Sequence, residues 1–193
     1  MTSNGFKTVW EIDALGTFHC CQAARSDLAR TKGLVVNVSM TLHYGATFFQ
    51  AHACAAKAAV DSLTRSLALE WGYEGIRVNG VAPGPIAGTA GMAKLDPKGV
   101  AGQSRDGGTA SRMSRDPIPL GRMGAPWDVA MSVVFLASAA GAYVAGHTIV
   151  CDGANWLWKP PVVSPKLVAR LSKEAEQTSA TVGVAGGGER SRL

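Results

Sequence analysis

The stretch HACAAKAAVDSLTRSLALEW, residues 52–71, decides the fold of this chain. Ala, Leu and Lys have high helix propensities, and the stretch contains neither Gly nor Pro, so it predicts one long helix. Lys57 lies on the shoulder of its apolar face, one turn before Asp61, where a lysine is usually a solvated surface residue. The apolar face itself recurs every three or four positions and comprises Ala56, Val60, Leu63, Leu67 and Trp71.

β-branched runs flank this helix on both sides. LVVNVS at residues 34–39 precedes it, and IRVNGVA at 76–82 follows it and is closed by a Pro-Gly-Pro turn. Strand, helix and strand ending in such a turn form a βαβ unit of a parallel sheet. Ligands bind at the carboxyl ends of such strands, so residues 39–44 and 83–89 are candidate binding loops. Tyr44 and His52 are candidate acids, although a lone His more often satisfies a backbone group.

Length and composition indicate a single α/β domain. The chain has 193 residues, of which 47% are hydrophobic and 17% charged, and it contains 23 glycines. Its net charge of +5 comes from scattered Lys and Arg, which disfavours a nucleic-acid partner but suits a phosphate-bearing small molecule. The four cysteines have no C-x-x-C or zinc spacing, which favours a reducing compartment and predicts no metal site. No apolar run suits a membrane span, and residues 1–25 lack the layout of a signal peptide.

Residues 3–29 predict an amphipathic helix with an acidic side chain in its apolar face. A carboxylate seldom points inward unless it is paired, hydrogen-bonded or functional. Asp13 is therefore either a structural aspartate bonded to a neighbouring loop, which periodicity alone favours, or a catalytic acid. The predicted apolar face carries Phe6, Val9, Trp10, Asp13, Thr17, Cys20, Cys21 and Ala24.

The rest of the chain contains an insert, one more helix and strand, and a tail. Residues 91–125 show little periodicity and are rich in Gly, Ser, Arg and Lys, which predicts either a phosphate-binding lid or a solvated insert. A helix is expected at 126–138 and a strand at 148–151. Beyond residue 160 we expect a short helix at 165–177 and a flexible tail from Thr178 to Leu193.

These motifs together resemble the second half of the short-chain dehydrogenase/reductase superfamily. The resemblance rests on NVS at 37–39, the Lys57 helix, IRVN at 76–79 with PGPI at 83–86, and VCDG at 150–153. It implies an α/β fold that is the C-terminal half of a doubly wound, Rossmann-like parallel sheet with helices on both faces. Residues 1–158 are then a partial domain with a lid insert at about 91–125, and residues 159–193 are a C-terminal extension.

The position before the lysine narrows this resemblance. Typical members place a catalytic Tyr four residues before the Lys, and Ala53 stands there in this chain. The peroxisomal 2,4-dienoyl-CoA reductases also lack this Tyr, and the chain is similar to them, above all to plant-type members. A ketoacyl or alcohol dehydrogenase of the same fold is disfavoured by Ala53. The matching segments are residues 11–13 with 16–18, 52–53 with 56–61, 69–72, and 82–86 with 88–89.

The resemblance implies a catalytic pair, a cofactor and a reaction. Asp13 and Lys57 are the pair, and the reaction is hydride transfer from NADPH to the far end of a 2,4-dienoyl-CoA thioester, leaving a 3-enoyl-CoA. Asp13, acting through a water, would supply the proton to the α-carbon, and Lys57 would hold the nicotinamide ribose and stabilise the developing enolate. His52 and Lys94 are expected to contact the substrate. The expected NADP(H) contacts are Lys57, Ser39, Pro83, Gly84, Pro85, Ile86, Ala87, Gly88 and Thr89.

The last three residues, Ser191-Arg192-Leu193, differ from the Ser-Lys-Leu peroxisomal address only by Arg for Lys. With the family resemblance, they imply recognition by the import receptor, a peroxisomal location and a role in unsaturated fatty acid β-oxidation. The helices at 3–29 and 52–71 form oligomer contacts in this superfamily, which implies a homo-oligomer. A different class of function stays open as well, a catalytically inactive truncated subunit that associates with full-length reductase through the same helices.

A complete member of the superfamily begins with a strand and a Gly-rich turn that seats the cofactor phosphates at a helix N-terminus. No such motif precedes residue 3. We therefore expect the 193-residue chain to bind NADPH weakly or not at all. Titration of NADPH fluorescence with the purified chain measures this affinity, and a dissociation constant in the micromolar range would contradict the prediction.

Overall fold

A computed structural model of the chain describes residues 1–47, 49–95, 118–159 and 165–185, with the backbone alone for 93–95, 165 and 178–185. The chain separates into two compact units, Met1–Trp158 and Lys159–Leu193. Its elements in order are α1 (Ser3–Trp10), a π-helical turn (Glu11–Leu15), α2 (Gly16–Thr31), β1 (Leu34–Val38), a 3₁₀ turn (Thr41–His43), α3 (Ala51–Gly72), β2 (Arg77–Pro83), α4 (Ala90–Leu95), α5 (Pro126–Ala137), a 3₁₀ turn (Ala139–Gly141), β3 (Thr148–Cys151), a 3₁₀ turn (Asn155–Leu157) and α6 (Pro165–Ala185).

Within the described residues, the strands form one parallel sheet in the order β1–β2–β3. Leu34 of β1 lies opposite Arg77 of β2, and Gly80 of β2 lies opposite Thr148 of β3. The central strand β2 is buried from residue 78 to residue 82, because α3 and α5 both pack against it. Parallel strands covered by helices are the arrangement that the sequence predicts, and the structure confirms this fold class.

Helix α3 packs on the sheet through the face that its spacing predicts. Ala56, Val60, Leu67 and Trp71 are buried in it. Two polar residues, Asp61 and Thr64, are buried beside them. The Thr64 hydroxyl donates to the carbonyl of Val60 and accepts from the Asn37 amide of β1, each at 2.9 Å. Because these polar groups are paired, the mixed face of α3 is compatible with a buried position.

The first helical stretch departs from the apolar face predicted for it. Phe6 and Trp10 are 38% and 41% exposed and Cys20 is exposed, whereas Ala14 and Cys21 are buried. A π-helical turn between the two halves of this stretch adds one residue to the helical repeat. One extra residue rotates every later side chain by about 100° relative to a regular α-helix. A single face drawn through both halves of the stretch is therefore wrong.

The structure describes both ends of the predicted insert and the first part of the predicted tail. Residues 91–95 belong to α4, and residues 118–125 pack on the domain through the buried Ile118 and a hydrogen bond from the Leu120 amide to the Gly153 carbonyl. Residues 96–117 of the predicted lid lie outside the described residues. Helix α6 continues to Ala185, past the predicted end at 177, since no Pro interrupts it. In the described ranges, no helix is both long and apolar enough to cross a membrane.

Leu67 is 5% exposed in the core beneath α3, and Leu69 on the same helix is 72% exposed. Leu67→Ala should lower the free energy of unfolding by about 2–5 kcal/mol, because it removes buried methyl groups and leaves a cavity. Leu69→Ala makes the same chemical change at the surface and should shift it by less than about 0.5 kcal/mol. Urea unfolding followed by circular dichroism measures both, and equal shifts would contradict the packing of α3.

Candidate active site

The side chains of Asp13 and Lys57 meet at the carboxyl end of β1. The Lys57 ammonium lies 2.9 Å from Oδ1 of Asp13 and donates to the carbonyl oxygen of Val38 at 3.0 Å. The Lys57 side chain is 19% exposed and that of Asp13 is 30% exposed. A partly buried ammonium needs such partners, because taking a charge out of water is costly unless it is paired. The structure thus brings together the two residues that the sequence analysis singled out.

Asp13 lies in the π-helical turn and not in a regular helix. Such turns are rare and occur frequently at functional sites. The Thr17 hydroxyl donates to the carbonyl of Asp13 at 2.6 Å, and α3 packs against the turn. The direction of the Asp13 side chain is therefore set by a local departure from the α-helical repeat.

A second polar cluster surrounds Asp61, one turn after Lys57 on α3. Oδ2 of Asp61 lies 2.9 Å from Nε2 of His43, and Oδ1 accepts from the Thr148 hydroxyl at 3.3 Å. The Asp61 side chain is 5% exposed and that of His43 is 11% exposed. The Ser39 hydroxyl lies 3.3 Å from the same Nε2 and donates to the backbone carbonyl of Lys57 at 3.5 Å.

Ser39, His43 and Asp61 have the residue types of a nucleophilic triad without its geometry. In a working triad the serine and the carboxylate contact opposite nitrogens of the imidazole ring, so that the ring can take a proton on one side while it is held on the other. Here Asp61 and Ser39 both contact Nε2. The cluster is therefore a hydrogen-bond network, and Ser39 is not activated as a nucleophile.

Tyr44 completes the network around Asp61. Its ring packs edge-on against His43, with centroids 4.5 Å apart, and against Trp156, with centroids 5.5 Å apart. Burial, together with the nearby Asp61 carboxylate, raises the pKa of Tyr44 to about 12. The phenol therefore keeps its proton at physiological pH. A phenol that holds its proton this firmly is a poor candidate acid.

The loop after β2 forms one wall of an apolar cavity of about 410 Å³. Ala87 and Gly88 of this loop are exposed and lie outside the cavity. Asp13 and Lys57 are not part of its lining in the described chain, but the Val38 carbonyl that binds Lys57 comes two residues before a lining residue. The lining consists of Met40, Leu42, Pro83, Gly84, Pro85, Ile86, Thr89, Gly91, Met92, Pro126 and Val129.

Close backbone contacts hold this loop in place. A Cβ atom on Gly84 would lie 2.4 Å from the Cβ of Asp152, so only glycine fits there. The Ala87 amide donates to the carbonyl of Gly124 at 2.8 Å, and the Gly124 amide donates to the carbonyl of Pro85 at 3.0 Å. The loop is consequently a fixed wall whose position depends on the segment before α5.

The structure describes the side chain of only one of the two predicted substrate contacts. His52 lies in the first turn of α3, and its Nδ1 is buried without a hydrogen-bond partner among the described residues. The side chain of Lys94 lies outside the described residues, as do Ser191, Arg192 and Leu193.

Sequence reasoning missed the network around Asp61. For Asp61 the sequence contained a usable signal, because a carboxylate beside Val60 in the buried face of α3 is as unusual as one in the first helix. For His43 there was none, since the residue lies in a short turn without periodicity. In the part of the chain that the structure describes, no three His, Cys, Asp or Glu side chains are grouped to hold a metal ion.

Comparison with known proteins places this chain in a family. The profile of the family described as Enoyl-(Acyl carrier protein) reductase matches residues 1–154. The (3E)-enoyl-CoA-producing peroxisomal 2,4-dienoyl-CoA reductase of Arabidopsis thaliana is 44% identical over 189 residues, which cover 93% of this chain and 60% of that protein. The chain thus spans less than two thirds of the length of this curated relative.

Solved structures share the fold over the same region. A short chain dehydrogenase from Bacillus anthracis is 34% identical, with a TM-score of 0.69 over 83% of this chain and 59% of the other. ElxO, solved with NADP bound, is 26% identical, with a TM-score of 0.69 over 80% of this chain and 59% of the other. Since the family match extends over the whole described sheet and includes Asp13 and Lys57, the chain belongs to the short-chain dehydrogenase/reductase superfamily, in the family described as enoyl-(acyl carrier protein) reductase.

Proposed function

We propose that this chain carries the catalytic pair of an NADPH-dependent 2,4-dienoyl-CoA reductase that produces a 3-enoyl-CoA. The observation that carries the proposal is the 2.9 Å contact between Asp13 and Lys57, in a chain with Ala53 in place of the usual Tyr. Reduction of a carbonyl needs an acid at the carbonyl oxygen, whereas reduction of a conjugated C=C bond needs a proton on carbon. The name of the Arabidopsis relative supports the same reaction.

The residues at the ends of β1 and β2 suit a nicotinamide cofactor. Residues 83–86 offer an apolar wall to a flat ring, and the Lys57 ammonium is a donor that suits ribose hydroxyls. The NADP bound to ElxO supports NADP(H) as the cofactor of this chain as well. When bound, NADPH supplies the hydride that adds to the δ-carbon of the dienoyl thioester.

The chain's own side chains handle the charge and the proton that accompany this addition. The diene electrons move toward the thioester oxygen, and the ammonium of Lys57 stabilises the negative charge that develops there. Asp13, acting through a water, supplies a proton to the α-carbon, which leaves a double bond between the β- and γ-carbons. The Asp13 side chain is 30% exposed, so solvent can replace that proton.

The proposed partners follow from the same relatives. A fatty acyl-CoA thioester is the substrate class, as in the name of the Arabidopsis reductase. The peroxisomal location in that name, together with Ser191-Arg192-Leu193 at the C-terminus, supports import into the peroxisome. There the reaction would serve the β-oxidation of unsaturated fatty acids, in a homo-oligomer as the superfamily resemblance implies.

A fusion protein with the N-terminal part of the Arabidopsis reductase placed before residue 1 tests the activity. With NADPH and 2,4-hexadienoyl-CoA it should consume NADPH and thioester in equal amounts and yield the 3-enoyl-CoA, identified by NMR and mass spectrometry. A 2-enoyl-CoA product, or reduction of a ketoacyl thioester in its place, would contradict the proposal. The unfused 193-residue chain is the control, because it measures turnover without the added N-terminal part.

Asp13→Asn in the same fusion removes the acid and keeps the shape of the side chain. Turnover should fall by about 10² or more, because a positioned proton donor contributes about that factor. Asp27→Asn on α2 is the matched control, since Asp27 is exposed and pairs only with Arg30 among the described ion pairs. The loss of NADPH absorbance measures both rates, and an unchanged rate for Asp13→Asn would contradict the role of Asp13 as the acid.

A further inference from the structure

The buried Asp61 carboxylate contacts residues of different elements. Nε2 of His43, in the segment after β1, lies 2.9 Å from Oδ2 of Asp61, and the Thr148 hydroxyl of β3 donates to Oδ1. A carboxylate with a 5% exposed side chain has lost most of its water, and these donors replace that water. The carboxylate thereby ties α3 to the segment after β1 and to β3.

We infer that Asp61 and His43 are positioning residues for Lys57, because their contact fixes the rotation of α3 and the path of the segment after β1. The inference rests on the proposed function, in which Lys57 is one of the two catalytic residues. It concerns how firmly the Lys57 side chain is held, which can be measured on the chain without enzymatic turnover.

The first part of the argument is the rotation of α3. Residues four apart on an α-helix project from its axis within about 40° of each other, so Asp61 and Lys57 share one face. Any rotation that carries Asp61 away from His43 also carries the Lys57 ammonium away from Asp13. The 2.9 Å contact between Asp61 and His43 therefore opposes the movement that would open the 2.9 Å contact between Lys57 and Asp13.

The second part is the path of the backbone after β1. The Val38 carbonyl accepts from the Lys57 ammonium, and the next residue, Ser39, contacts both Nε2 of His43 and the Lys57 carbonyl. The Ser39 amide also donates to the carbonyl of Val81 at 2.8 Å. His43 thus holds the residue that directly follows the acceptor of the Lys57 ammonium.

The role of the ring nitrogen is consistent with these contacts. Nε2 lies 2.9 Å from Oδ2 of Asp61, and because a carboxylate can only accept, this contact assigns the ring proton to Nε2. The nearby Ser39 hydroxyl directs its own proton to the Lys57 carbonyl. The hydrogen-bond donor of His43, and not the bulk of its ring, is therefore what the inference requires.

A pair of substitutions at His43 separates these two properties. His43→Phe keeps a flat ring against Tyr44 but removes the donor, whereas His43→Gln loses the ring and can place an amide N–H near the position of Nε2. Competitive acetylation of the folded 193-residue chain, read by mass spectrometry, reports how well the Lys57 amine is held. His43→Phe should speed acetylation of Lys57 by about fivefold or more, the effect of losing one hydrogen bond, and His43→Gln should leave it near the parent rate.

Controls make the result decisive. Lys32 is exposed and distant from Asp61 in the fold, so its acetylation should not change in any variant. Ser62→Ala, at an exposed position next to Asp61, should leave Lys57 unchanged. Thr148→Val, which removes another donor to Asp61 and keeps the side-chain shape, should raise Lys57 acetylation by a smaller factor and serves if His43→Phe does not fold. An equal response of Lys57 to Phe and Gln at position 43, or an equal rise at Lys32, would overturn the inference.

Discussion

The placement of the Lys57 ammonium is the constraint on which the site depends. A cation that is four-fifths shielded from water must be compensated, and here the Asp13 carboxylate and the Val38 carbonyl compensate it. These two partners come from the first helical stretch and from the end of β1, so the ion pair joins three elements at one point. The helix that carries Lys57 can occupy only the few orientations that keep both contacts.

Helix α3 meets this constraint with a buried face that mixes apolar and polar groups. Ala56, Val60 and Trp71 bury apolar surface against the sheet, while Asp61 and Thr64 are paired through His43 and Asn37. The apolar contacts provide most of the stabilisation but tolerate sliding and rotation, because hydrophobic burial is not directional. The paired polar groups add direction, since a misplaced buried carboxylate loses its partners at a cost of kilocalories per mole.

The site divides its chemistry between neighbouring regions. The apolar cavity beside Pro83, Gly84 and Ile86 suits a flat ring or an acyl chain, and the charged pair lies just beyond the end of β1. The contact of Gly84 with Asp152 ties the cavity wall to the end of β3. Both regions therefore rest on the carboxyl ends of adjacent strands, where a parallel sheet brings together residues that are distant in sequence.

The sequence alone determined α3, β1 and β2 and pointed to two residues of the candidate site. Periodicity near 3.6 and runs of β-branched residues identify α3, β1 and β2, because each element must bury one side of its own repeat. The inward carboxylate and the family resemblance identified Asp13 and Lys57. Only the tertiary structure decided that these side chains touch, that a π-helical turn aims Asp13, and that Asp61 bonds to His43. Those contacts join residues that are far apart in the chain. The repeat of a helix shows which of its own residues share a face, but it does not show which residue of another element will contact that face.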